Sequence, residues 1–93
     1  MLDIDSVIKE RKQYYNFKNR VIEIINYLDL AIDKLNDSIS IDETLIMIDD
    51  YEVYKDKINN AIDELRKEKN YLSNSILPKV KDEINNLGNL IGY

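Results

Sequence analysis

Residues 7–35 read VIKERKQYYNFKNRVIEIINYLDLAIDKL, and this stretch decides the fold. With its flanks it sets Ile4, Val7, Arg11, Tyr14, Lys18, Val21, Ile25, Leu28, Ile32, Leu35 and Ile39 at alternating steps of three and four. Side chains at that spacing share one face of an α-helix, and the unbroken alternation is the seam of a helix packed lengthwise against another. Nine of the eleven positions are uncharged, so the seam is apolar enough to be buried. Asp5 or Ser6 is the expected N-cap, because a short side-chain oxygen there accepts from free N–H groups of the first turn. The first helix is thus predicted over about residues 6–36.

Working outward, Asn36, Asp37, Ser38, Ser40 and Asp42 compete for backbone hydrogen bonds and predict a turn over residues 37–41. Ser40 with Glu43 matches a capping box, and Asp42 is an equally good cap for a second helix over about residues 42–76. That helix has its own seam of Ile48, Tyr51, Lys55, Ile58, Ile62, Leu65, Lys69, Leu72 and Ile76. Pro78 lacks an N–H and crowds the preceding turn, so a kink or break is expected near it. Val80, Ile84, Leu87 and Ile91 continue an apolar stripe, and a short C-terminal helical segment is predicted over residues 78–88 with Pro78 as its first residue. The expected fold is all-α: one domain, residues 1–93, forming an antiparallel, coiled-coil-like two-helix hairpin. A reversal near Ser38 to Ser40 would set Arg11 across from Glu64 and Glu68, and Lys18 across from Asp63. Equally, the charged seam positions would mark a partly exposed end of the hairpin.

Composition narrows the function. The 93 residues are 44% hydrophobic and 33% charged, which suits a single folded domain rather than a disordered chain. With no Cys and no His, thiol chemistry, thiolate metal sites and the usual general base are excluded. Asp49, Asp50, Glu52 and Asp56 are the densest acidic group, but they lack the spacing and Gly of a calcium loop and read as a solvated face. No enzyme activity, cofactor, metal or small-molecule substrate is expected. The N-terminus carries no secretory signal pattern and no apolar run nears the roughly 20 residues of a membrane span. A cytoplasmic protein is expected, or one exported with a partner without a cleaved signal.

The net charge of -5 is unevenly spread. Lys9, Arg11, Lys12, Lys18 and Arg20 face only Glu10 in residues 9–20, whereas residues 29–52 hold eight acids against Lys34. Cations interleaved with Tyr14, Tyr15 and Phe17 fit phosphate contact with base stacking. The acidic total opposes a polyanion, and those aromatics sit where a core wants them. Nucleic acid is therefore a weaker expectation than a protein partner, and a negative headgroup surface is weaker still, because the basic and apolar residues do not sort into one amphipathic face.

The decisive functional feature is the width of the first helix's apolar arc. Tyr14, Val21, Ile25, Leu28 and Ile32 form its centre, with Tyr15 and Ile22 on one flank and Phe17, Ile24 and Ala31 on the other. One neighbouring helix cannot cover that arc. Further helices are expected from a second copy, giving a four-helix bundle, from another helical protein, or in part from the segment after Pro78. The predicted partner interface is Tyr14, Phe17, Val21, Ile22, Ile24, Ile25, Leu28 and Ile32, with Tyr51 and Tyr54 as contacts near the acidic end, since Tyr favours partly wet interfaces.

This layout, with arms over Val7 to Leu35 and Asp42 to Ile76, resembles the small helical-hairpin proteins of Gram-positive type VII secretion. These are the Trp-x-Gly family and the small helical partners of Leu-x-Gly toxins. The turn Asn36-Asp37-Ser38-Ile39-Ser40 has no Trp-x-Gly, and no Tyr is followed four residues later by Asp or Glu; Tyr71 is followed at that spacing by Ser75. The resemblance therefore implies a partner-type member, an adaptor or targeting chaperone whose toxin supplies the export signal. Two other roles fit the residues: an inhibitor, antitoxin or anti-defence regulator that uses the acidic stretch Asp29 to Glu52, and a nucleic-acid-associated coiled coil.

Overall fold

The protein is described by a computed structural model covering residues 3–40 and 49–92. The described residues are almost wholly helical: α1 (Ile4–Ile39), α2 (Tyr51–Tyr71) and α3 (Leu77–Leu90), the last two joined by a π-helical turn over Leu72–Ile76. Arg11 meets Ile84, Asp29 meets Lys69 and Ile39 meets Tyr51, so α1 and the second arm run antiparallel. The molecule is a rod of 72 × 15 × 15 Å, long and two helices wide. Its surface is 7176 Å² for 11.0 kDa, against about 5,600 Å² for a compact monomer of that mass.

α1 begins earlier and ends later than the capping residues suggest. Its N-cap is Asp3, not Asp5 or Ser6: the Asp3 carboxylate accepts from the Ser6 N–H at 3.3 Å and from the Ser6 hydroxyl at 2.7 Å. Those bonds hold the Asp3 carboxyl below its ordinary pKa, with the hydroxyl bond the larger cause. At the other end Asp37, Ser38 and Ile39 are helical instead of forming a turn. The reason is local: Ser38 Oγ donates to the Leu35 carbonyl and Ser40 Oγ to the Asn36 carbonyl. The hydroxyls thus serve the helix's own last carbonyls rather than competing with the helix. Tyr51 closes this end by donating its hydroxyl to the Ile39 carbonyl at 3.5 Å.

Within the described residues the second arm starts at Tyr51. Asp49 and Asp50 form a turn, and Asp50 has φ 64, a left-handed conformation that no helix interior contains. The Ser40–Glu43 capping box, Asp42 and Ile48 fall largely in residues 41–48, outside the described residues. The late start also moves the register. Arg11 lies against Ile84 rather than Glu64 and Glu68, and Lys18 packs against the Tyr15 ring rather than Asp63. Across the arms Lys69 pairs with Asp29.

The chain does not break at Pro78. Ile76 and Leu77 keep right-handed helical dihedrals, and α3 includes Leu77 and extends to Leu90, beyond the expected 78–88. What precedes Pro78 is a π-turn, in which the Leu77 N–H bonds to the Leu72 carbonyl five residues back. Pro78 would crowd the carbonyl of Asn74, which lies within that wider turn. The same turn absorbs one extra residue in the seam, where Leu72, Ile76, Val80 and Ile84 follow in three successive steps of four.

The core is one thin line between the arms. Val7, Val21 and Ile32 from α1 are buried with Ile62 from α2 and Val80, Ile84 and Leu87 from α3. Among the described residues the other seam positions are half-buried, apart from exposed Ile4. Burial of each such side chain stabilises by ~1.5–3 kcal/mol at most, so one row of them leaves little margin.

Candidate interaction surface

The structure divides the predicted interface residues in two. Val21 and Ile32 are buried between the arms, and Tyr14, Ile25 and Leu28 are half-buried beside them. Phe17, Ile22 and Ile24 stay exposed on the flanks of that seam. Among the described residues twelve large apolar side chains are exposed, eight of them on α1. The excess apolar surface therefore belongs mainly to one helix.

The two flanks of α1 differ. On one, Ile8, Tyr15 and Ile22 follow at seven-residue steps, and cations cover the middle of the row. Arg11 Cζ lies 5.3 Å and Lys18 Nζ 5.2 Å from the centre of the Tyr15 ring, a favourable arrangement of charge on a ring face. Tyr15 and Ile22 are 39% and 37% exposed. A shallow hollow of about 300 Å³ lies here between Ile8, Arg11, Lys12, Tyr15 and Ile91. On the other flank Phe17, Ile24 and Tyr27 are 48%, 47% and 69% exposed. That second flank is the open one. Its near end borders a hollow of about 260 Å³ lined by Glu10, Gln13, Tyr14 and Phe17.

Tyr51 and Tyr54 also part company. Their rings are 6.4 Å apart and tilted by 33°, but Tyr51 is half-buried and bonded to Ile39 while Tyr54 is exposed. Reading the seam alone passes over Tyr27 and Leu30, both largely exposed. The signal for Tyr27 was present: Phe17, Ile24, Tyr27 and Ala31 follow at steps of seven, three and four, a stripe beside the main seam. Leu30 has only its proximity to Tyr27, one turn back, to mark it.

Charge is sorted along the rod. Residues 9–20 lie toward the end where α1 meets α3, and Asp33, Asp37, Asp49, Asp50 and Glu52 are exposed toward the end where Tyr51 meets Ile39. Asp49, Asp50, Glu52 and Asp56 are all exposed, and no group of three metal-binding side chains converges among the described residues. Among them, too, no helix is long and apolar enough to cross a membrane. Comparison with protein families, characterised proteins and solved structures finds no match.

Proposed function

We propose that this chain is a non-catalytic helical interaction module, an adaptor or targeting chaperone that completes a bundle with further helices. The carrying observation is the open flank of α1, where Phe17, Ile24 and Tyr27 are exposed although they share a helix with a packed seam. Covering each ring or branched chain would stabilise a complex by ~1.5–3 kcal/mol. A polar side chain at those positions would serve a lone two-helix rod as well. The type VII-like form of this role has the helical N-terminal region of a toxin as the partner.

The test is sedimentation at micromolar concentration, alone and with the product of the adjacent gene, for the natural protein and for Ile24→Asp. Assembly in either sample, lost with Ile24→Asp, supports the module. A folded monomer in both overturns it.

A second reading rests on the acidic end. Exposed Asp33, Asp37, Asp49, Asp50 and Glu52 would suit an inhibitor that covers a basic surface. Binding by that surface weakens steeply as salt rises, whereas binding through Phe17 and Ile24 does not.

A further inference from the structure

The geometry points to a second copy of this chain as the occupant of the open α1 flank, docked antiparallel about a two-fold axis level with Ile22. The inference rests on the interaction-module reading and specifies its partner. Beside the main seam, α1 carries a second run with alternating steps of three and four, from Glu10 through Gln13, Phe17, Arg20, Ile24 and Tyr27 to Ala31 and Lys34. Two such runs pack lengthwise as the main seams do.

Charge selects the direction. In the antiparallel register Phe17 faces Tyr27 of the second copy, Ile24 faces Arg20, and Gln13 faces Ala31. At the two ends Glu10 then meets Lys34, and just outside the run Lys9 meets Asp37. Each of these contacts occurs twice by symmetry. All four charged residues are exposed and available in the single rod. A parallel register would instead set Glu10 on Glu10 and Lys34 on Lys34, and would lay the basic stretch of residues 9–20 against its own copy. The opposite flank is a poorer choice, because Arg11 and Lys18 already lie over its central Tyr15.

The chain has no Cys, so introduced thiols report the register directly. Glu10→Cys and Lys34→Cys proteins are mixed and oxidised, and each is also oxidised alone. The antiparallel dimer cross-links in the mixture and not in either protein alone, because residues 10 and 34 are ~36 Å apart along the helix. Sedimentation supplies the second readout. Glu10→Lys and Lys34→Glu each weaken the dimer by roughly tenfold, and the double exchange restores it.

Cross-linking of Glu10→Cys protein alone overturns the antiparallel arrangement, as does a double exchange weaker than either single one. A chain that is monomeric alone, yet forms a complex with another helical protein that Ile24→Asp abolishes, overturns the second copy as occupant but leaves the module reading standing. A monomer under both conditions overturns both.

Discussion

Arg11 and Ile84 are 73 positions apart, and the Arg11 Nε donates to the Ile84 carbonyl at 3.0 Å. The bond exists because Gly88, one turn on, leaves room for the guanidinium: a Cβ there would sit 3.0 Å from Nη2 and 3.2 Å from Nε. Gly in a helix normally costs about 1 kcal/mol relative to Ala. Here that cost is offset by a cross-arm contact. Gly88→Ala is expected to stabilise an Arg11→Ala protein by about 1 kcal/mol and the natural protein by clearly less. Urea unfolding of the four proteins in the cycle gives the coupling, and purely additive effects would show that the two residues are independent.

Leu28 and Ile24 are four residues apart, one in the seam between the arms and one on the open flank. Leu28→Asp places a charge in the half-buried seam between the arms and should lower monomer stability by about 3 kcal/mol or more. Ile24→Asp should leave the monomer's thermal melt nearly unchanged at low concentration while abolishing assembly. Equal melting of the two variants would overturn the distinction between seam and flank. Ile25→Asp is expected to behave like Leu28→Asp, and Asp49→Asn to be nearly silent, since Asp49 is exposed in the turn.

The π-turn carries one residue more than the seam needs. Without Asn74, Leu72, Leu77, Val80, Ile84, Leu87 and Ile91 would alternate steps of four and three. Deleting Asn74 together with Pro78→Ala should therefore convert the second arm to continuous α-helix and raise stability by about 1–3 kcal/mol. Thermal unfolding and far-ultraviolet dichroism check this. A loss of stability would show that the turn aims the helix end rather than absorbing a surplus residue.

Asp3 caps α1 through Ser6, and its folded pKa lies below the ordinary 3.8. A depressed folded pKa means that the cap's contribution is complete above the unfolded value and is lost as pH falls through the folded one. Acidification should first fray the residues nearest Asp3, and Ser6→Ala should return the Asp3 titration toward its ordinary position. Carbon-detected NMR titration of the Asp3 carboxyl measures both, and an Asp3 midpoint unmoved by Ser6→Ala would contradict the assignment.

Much of the core was legible as a pattern. Val7, Val21, Ile32 and Ile62 fall on the two seams read from spacing alone, and Val80, Ile84 and Leu87 on the stripe after Pro78. Spacing is decisive there because burial of one helical face demands it, whatever the partner face turns out to be. The flank residues Phe17, Ile22 and Ile24 were legible for the same reason. Tyr27 lies on the same stripe as Phe17, Ile24 and Ala31, where spacing marks it, whereas Leu30 lies off that stripe and only its exposure in the folded rod draws it into the open surface.

Sequence by itself determined which residues are helical in bulk and which face of each helix is apolar, since both follow from local periodicity and from the scarcity of Gly and Pro. The tertiary structure alone decided where the chain reverses, and with it every cross-arm partner. Ser38 and Ser40 are as compatible with a turn as with the end of a helix, and Asp50 becomes a helix boundary only through its left-handed backbone. Sliding one seam along another by two turns keeps apolar residues facing each other, so pattern cannot set the register. Specific contacts accompany the register that forms: Arg11 on the Ile84 carbonyl over Gly88, Lys69 on Asp29, and Tyr51 on the end of α1.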